Sequence, residues 1–531
     1  MPDQPRKYSL PVLGKNDWNR DQLVHLLKRT MFGVKQADLA FFKNAPMQEV
    51  VDKLLHPDPF NYPPPVNDYD AFGITVAPGQ TWVNMPYLET ESEEGGRLRS
   101  FQRWSIGLLI HQDLSIREKM VLFWHNHFAT QTTISHSDFL WKHFSMLRAN
   151  ALGNFRNLVK EITLDCHMLR YLNGEKNTRL APNENYGREL QELFCIGKMI
   201  HPGYTEDDVK QVARVLTGWT VNYENGIAVF NEADHDNGDK TFSSFYGRAV
   251  IHGRSGPDAG EQELEQLLDI IFANPETARF ICRKIYRWFV HYQINAETEQ
   301  QVILPLAQVL ADNHFDILPV LKSLFESAHF YSDAVKGAQV KSPLDFYIGL
   351  QRELDVQFPR NEEYTINYSM WKLLLEHCEQ MGQVYGNPPN VSGWPAYYQA
   401  PLFYKLWINS STYPKRNEFS ATLVDFGFNR EGVQISADMT RFASQFAQPE
   451  NPEQLIRDIL EILYRVKISD ASVMAVKKNT LMSGQTADHY WTTAWNEWKN
   501  DPGNSIKKNE VELRLKQLVR FVIQSPEFHL M

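Results

Sequence analysis

The sequence predicts a mainly α-helical, multi-helical and two-lobed protein with one small β-hairpin near residues 219–230. Three observations carry that reading. Apolar residues recur at three- and four-residue steps from about residue 17 to the far end of the chain. Capping residues and a Ser-Pro pair stand where the periodic stretches begin. The strongest strand signal is the pair Asn225-Gly226, between Trp219–Tyr223 and Ile227–Phe230. A chain of 531 residues exceeds what one small core requires. Its helices are therefore expected to divide into an N-terminal lobe (1–335) with most of the polar motifs and a C-terminal lobe (336–531) closing over a cleft.

Residues 17–56 read as two or three helices, with Leu23, Leu26 and Leu27 on one face and Phe32-Gly33 as a stop. His25 on the first of them reads most simply as a core or surface histidine. Pro57, Pro59, Pro63, Pro64 and Pro65, then Pro78-Gly79, make residues 57–100 an irregular excursion, either a lid or a packing arm. Helices return over 101–178. One opens at Ser115, spaced from Glu118 as in a capping box, and runs through Met120, Phe123 and Trp124 to His125 and His127. The segment 183–197 reads as a helix ended by Gly197, and Thr205 with Asp208 caps the next. Residues 261–332 carry two apolar stripes, one through Leu264, Leu267, Leu268 and Ile271, the other through Ile281, Ile285 and Phe289. Ser342-Pro343 opens a further helix, and 430–531 form the amphipathic closing lobe.

Composition removes several function classes. A formal charge of −10 lacks the basic footprint of general nucleic-acid binding. No apolar run reaches the ~20 residues of a membrane span. Cys166, Cys195, Cys282 and Cys378 are too scattered for a zinc ribbon or a disulfide framework. Residues 1–8 lack the apolar core of a secretory signal, so a cytoplasmic protein is expected, or a periplasmic one if a leader was removed. Walker loops, dinucleotide Gly-rich turns, H-E-x-x-H and G-x-S-x-G elbows are absent from the sequence.

Three polar patches remain as candidates. His125 and His127 sit among large apolar neighbours and need a hydrogen-bond partner, a carboxylate or a metal. Two residues apart, they converge only where the helix unwinds; otherwise they are ordinary core histidines. At ~100° per residue, Asn185, Glu189 and Glu192 share one stripe of the 183–197 helix. Arg188, four residues from both Glu184 and Glu192, can satisfy those two in a surface charge lattice and leaves Glu189 over. The loop 234–240 offers His235 and Asp236 as metal ligands or acid and base, and Lys240 for an anion; a polar turn explains it as well. It is not an EF-hand, because its sixth position is Asp239 where glycine is required. Lys341, just before the cap Ser342, is unfavourable at the positive end of a helix unless an anion lies nearby. Trp394 is a ring platform for a ligand or an aromatic plug.

Together these segments resemble the bacterial domain-of-unknown-function family 1800. The matching stretches are His25–Thr30 with Phe32-Gly33, Phe123–Phe128, Pro182–Leu190, Tyr204–Glu206 with Thr217–Trp219, His235-Asp236 with Lys240, Lys341–Pro343 and Pro388–Pro395. They run in family order over about residues 20–420. The sequence departs from the family at Gly187, where an alanine usually precedes the arginine. The resemblance implies no settled activity, but its His, Asn, Glu, Asp, Arg and Lys signatures suit one polar pocket in a helical body.

The reading that follows is a metal-dependent hydrolase for a polar or anionic substrate, with a divalent ion of unspecified identity. His125, His127, Glu189 and His235 are the expected metal ligands. Glu192 or Asp236 is the expected general base, and Arg188 and Lys240 fix anionic groups. Asn183, Asn185, Lys341 and Trp394 are expected to bind a small-molecule, glycan or peptide substrate. The alternatives are a redox enzyme on the same ligands and a non-catalytic helical scaffold or binding protein. The oligomeric state is not encoded in any motif.

Overall fold

The computed structural model describes residues 10–69, 75–86, 91–132, 136–198, 203–360 and 362–531. Residues 1–8, read above for a leader, lie outside them. The fold is mainly α-helical, with small two-stranded antiparallel sheets between helices. Helix α1 (Arg20–Thr30) starts at Asn19, whose side chain accepts from Asp21 N, and it buries Leu23, Leu26 and Leu27. Its last turn drives Lys28 and Arg29 into the interior. The chain then turns at Gly33 with φ +80°.

His25 on α1 is fully buried, and its Nε2 lies 3.1 Å from Phe330 O. Burial, aided by the charges of Arg29, Arg465 and Lys336, holds its pKa well below the ordinary imidazole value. The unfolded chain therefore binds a proton that the folded chain does not, and stability falls as pH drops below about 6.5. The expected contribution is about 1.4 kcal/mol per pH unit. Urea unfolding between about pH 6 and about pH 5 checks this: His25→Phe should flatten the slope by that amount. An unaltered slope would mean that the ring is not buried in its neutral form.

The proline-rich excursion is a packing arm on helix α2 (Glu91–Ile110). Trp104 Nε1 donates to Pro63 O at 2.6 Å and Ser100 Oγ to Val66 O at 2.7 Å. Helix α3 (Arg117–His127) does not use the expected capping box. Its N-cap is Ile116; Ser115 Oγ accepts from Arg117 N, and Glu118 forms a two-pronged pair with Arg148 at 2.8 and 3.0 Å. A buried guanidinium fork is a stronger partner for that carboxylate than a helix-end N–H. Arg148 stands on α4 (Ser137–Ala149), followed by α5 (Phe155–Thr163) and α6 (Cys166–Tyr171).

Helix α7 (Glu184–Glu189) runs on as a π turn over Leu190–Cys195. Thr205 and Asp208 form the predicted capping box on α8 (Glu206–Val215). The predicted hairpin follows: β1 (Trp219–Asn222) pairs with β2 (Ile227–Phe230), Trp219 opposite Phe230. Gly226 takes the left-handed conformation that closes the turn, φ +61°. Further on come α9 (Ala259–Ala273) and α10 (Pro343–Glu353), whose cap Ser342 accepts from Asp345 N at 3.1 Å. Helix α11 (Tyr364–Gln380) packs along α2, and α12 (Thr412–Asp425) follows.

One apolar core runs from Leu10 to Phe528. Buried ion pairs cross the expected lobe boundary at 335/336, among them Lys28–Glu353 at 2.6 Å and Lys119–Asp345. Among the described residues, no helix is long and apolar enough to cross a membrane.

Candidate functional site

Helix α3 remains helical through His127, so its two imidazoles diverge. The His127 Nε2 lies 3.0 Å from Phe194 O at the π turn, and its ring packs against Phe128 and Phe123. His125 faces the other way. Its ring lies 4.7 Å from that of Phe144, and Trp394 meets it edge-on at 5.9 Å. Trp394 is fully buried, and its backbone N–H donates to Asn126 Oδ1 at 2.9 Å. It plugs the helix end as an aromatic core residue.

Beyond His125 lie two histidines that the sequence did not single out. The His125 and His143 rings are 6.2 Å apart, centre to centre, and those of His143 and His167 are 5.0 Å apart. Helices α3, α4 and α6 each supply one, and all three are buried. His143 Nδ1 lies 2.8 Å from Asp165 Oδ2, and Asp165 also accepts from Met168 N to cap α6. Among the described residues, both nitrogens of His125, both of His167 and Nε2 of His143 have no hydrogen-bond partner. Burial, and then their mutual proximity, lowers the pKa of His125 and of His167, the latter to about 3, so both are neutral at physiological pH. Asp165 and Cys166 also line a surface cavity of about 680 Å³ that Lys142, Lys160 and Trp219 border.

The second patch has its own partners. Arg188 holds Glu206 at 2.7 and 2.8 Å and Glu184 at 3.2 Å. Glu192 pairs with Lys198, Asn183 caps α7 by accepting from Asn185 N, and the Asn185 side chain is exposed. Glu189 forms no ion pair among the described residues, and burial raises its pKa. The single stripe expected of Asn185, Glu189 and Glu192 is broken, because the π turn begins at Leu190 and changes the angular step before Glu192.

The third patch is a buried charge cluster. Lys240 Nζ lies 2.6 Å from Glu263 Oε2 on α9 and also donates to Asp236 O. Arg254 N donates to Glu263 Oε1 at 2.9 Å. His235 Nδ1 lies 2.9 Å from Thr217 O; its Nε2 is 3.2 Å from Glu263 Oε1 but outside hydrogen-bond geometry. Arg214 grips Asp236 at 2.8 and 3.0 Å. Against the cost of burial, that fork holds Asp236 below the ordinary carboxylate range, which suits a structural anion better than a general base. Lys341 is buried with its Nζ 3.7 Å from Glu353 Oε2, a carboxylate that it shares with Lys28.

The patches therefore separate. Glu189, Glu192 and Arg188 share no hydrogen bond, ion pair or ring contact with His125 or His235 among the described residues, and the pair at His127 faces a backbone carbonyl. No group of three or more His, Cys, Asp or Glu side chains among the described residues is already gathered to hold a metal ion.

The family described as "Protein of unknown function (DUF1800)" matches residues 25–530, nearly the whole chain. The chain belongs to the DUF1800 family. No curated protein and no solved structure matches it. In this DUF1800 chain the residues that sequence reasoning missed are His143, His167, Asp165 and Glu263. Only a weak signal marks two of them: Asp165 is the cap of α6 and His167 its second residue. Glu263 has no local signal, being an ordinary helix glutamate until the fold sets Lys240 against it.

Proposed function

We propose that this DUF1800 chain is a metal-dependent hydrolase whose divalent ion is held by His125, His143 and His167. The observation that carries the reading is the buried imidazole trio in which five of six ring nitrogens have no partner. Leaving a buried polar atom unsatisfied costs about 1–3 kcal/mol, so five together approach the whole stability of a domain. Asp165 behind His143 Nδ1 is the carboxylate that orients a ligating imidazole and leaves Nε2 free. Neutral nitrogen donors suit zinc and its neighbours.

Metal–nitrogen distances near 2.0–2.1 Å in a tetrahedral set imply ring centres about 5 Å apart. His143 and His167 meet that spacing at 5.0 Å; His125 stands about 1 Å too far from His143 at 6.2 Å and makes no ring contact with His167 among the described residues. Its ring would have to swing inward on binding. An ion so held supplies a bound water of lowered pKa and polarises a substrate. Asp165 would fix the His143 tautomer; it also lines the cavity bordered by Lys142 and Lys160, from which a substrate would reach the ion only through a side-chain movement, because none of the three imidazoles lines it. His127, Glu189 and His235 leave the ligand set in this reading.

Protein purified without chelators should carry about one equivalent of a divalent transition metal by elemental analysis. His143→Ala should lose it, His127→Ala should keep it, and Asp165→Asn should weaken affinity about 10–100-fold. A metal-free preparation whose melting temperature is unmoved by zinc, cobalt or manganese would overturn the proposal. The complete burial of the three rings favours a second reading, a non-catalytic helical scaffold. That same result would leave it in possession.

A further inference from the structure

A second assembly lies apart from the histidine trio, where α1, α10, α12 and the last residues of the chain meet. Lys28, Arg29, Lys119, Lys341, Arg416 and Arg465 are all buried there. The carboxylates facing them are Asp345, Glu353 and the partly exposed Asp21 and Glu461. Glu353 is shared by Lys28 and Lys341, and Asp21 by Arg465 and Lys336. The interior thus holds more positive charge than its own carboxylates balance. Buried charge without a counter-charge is among the costliest arrangements a fold can keep.

The imbalance is sharpest at Arg416. It is fully buried and forms no ion pair among the described residues; Nη2 donates to Lys341 O at 3.0 Å and to Trp407 O at 3.3 Å. Its Nε and Nη1 have no acceptor among the described residues. Its guanidinium lies 4.9 Å from the centre of the Phe346 ring. The His529 ring stacks on that same phenylalanine at 5.3 Å and 13°, and neither of its nitrogens has a hydrogen-bond partner among the described residues. Lys341 Nζ sits 3.6 Å from the centre of the neighbouring Phe528 ring. Lys341 N donates to His529 O at 2.8 Å while Lys341 O accepts from Arg416, so the backbone of Lys341 ties the three groups together. The Tyr347 hydroxyl, next along the chain from Phe346, is also buried and without a partner among the described residues.

We infer that Arg416, His529 and Lys341 hold a small inorganic anion, a halide or a compact oxyanion such as phosphate. Arg416 and His529 supply the N–H donors and Lys341 the long-range charge. This site is independent of the proposed metal centre and shares no residue with it.

The test uses the full chain, dialysed into sodium gluconate at fixed ionic strength and melted with added chloride, bromide, phosphate or sulfate. The fitting anion should raise the melting temperature saturably by about 2 °C. Arg416→Gln should abolish the rise, and His529→Phe, which keeps the stack on Phe346, should reduce it. A response to chloride and bromide identifies a halide site, and one to phosphate or sulfate an oxyanion site. Ion chromatography of denatured protein, prepared in the effective anion and desalted into gluconate, should recover about one equivalent. No recovered anion, or a thermal response no larger than gluconate gives, would overturn the inference. So would an undiminished response in His529→Phe.

Discussion

Glu263→Gln is expected to destabilise the protein by about 3–5 kcal/mol, the cost of leaving a buried charge without its partner. Both Glu263 and Lys240 are 0 % exposed, so water cannot replace the lost carboxylate. Lys240 would keep only the Asp236 carbonyl, and an amide cannot balance its charge. The loss should appear as a lower midpoint in urea with an unchanged slope. Adding Lys240→Met to Glu263→Gln should recover much of it, because a buried ion pair exchanged for groups without net charge is often neutral or stabilising. A single substitution within about 0.5 kcal/mol of the parent would show that the pair is not held in its charged form. The double variant separates charge from shape: if both variants are equally unstable, it is the packing of α9 against the loop that Glu263 serves.

Gly33→Ala should cost about 3 kcal/mol or more, for two additive reasons. At φ +80° an L side chain is strained by roughly 1–2 kcal/mol. A Cβ at Gly33 would also stand 2.6 Å from Gly349 Cα and 2.9 Å from Gly349 O, which are backbone atoms of α10 and cannot rotate aside. Gly349→Ala is the contrasting case. Its Cβ would meet Gly33 at 3.7–3.8 Å, an ordinary contact, inside a helix that favours alanine. Thermal unfolding of the two variants should thus differ strongly although the glycines touch. Equal losses would mean that α1 and α10 can slide apart at this crossing.

Features that depend on neighbours in the chain were legible in the sequence. Thr205 with Asp208, Ser342-Pro343 and Asn225-Gly226 each act within four residues, and each forms the element expected of it. The family was legible as well, because its motifs are strings of residues. Where a distant group competes, local reading fails. Glu118 had the spacing of a cap, but Arg148, thirty residues on, offers a two-pronged bond. His143 and His167 lie on separate helices from His125, and only the packing of those helices brings the three rings together. The expected stripe through Glu189 and Glu192 assumed a constant 100° step, which the π turn does not keep.

That wide turn fixes the length of the chain at this point. Between Leu190 and Cys195 the coil carries a surplus residue relative to an α-helix of equal rise. A one-residue deletion there would close into regular helix at little local cost, so helix energetics alone would tolerate it. It would also rotate the following backbone by about 100° and carry the Phe194 carbonyl away from the imidazole of His127, which has no other hydrogen-bond partner among the described residues. Shortening is therefore barred by a bond to another helix and not by the coil itself.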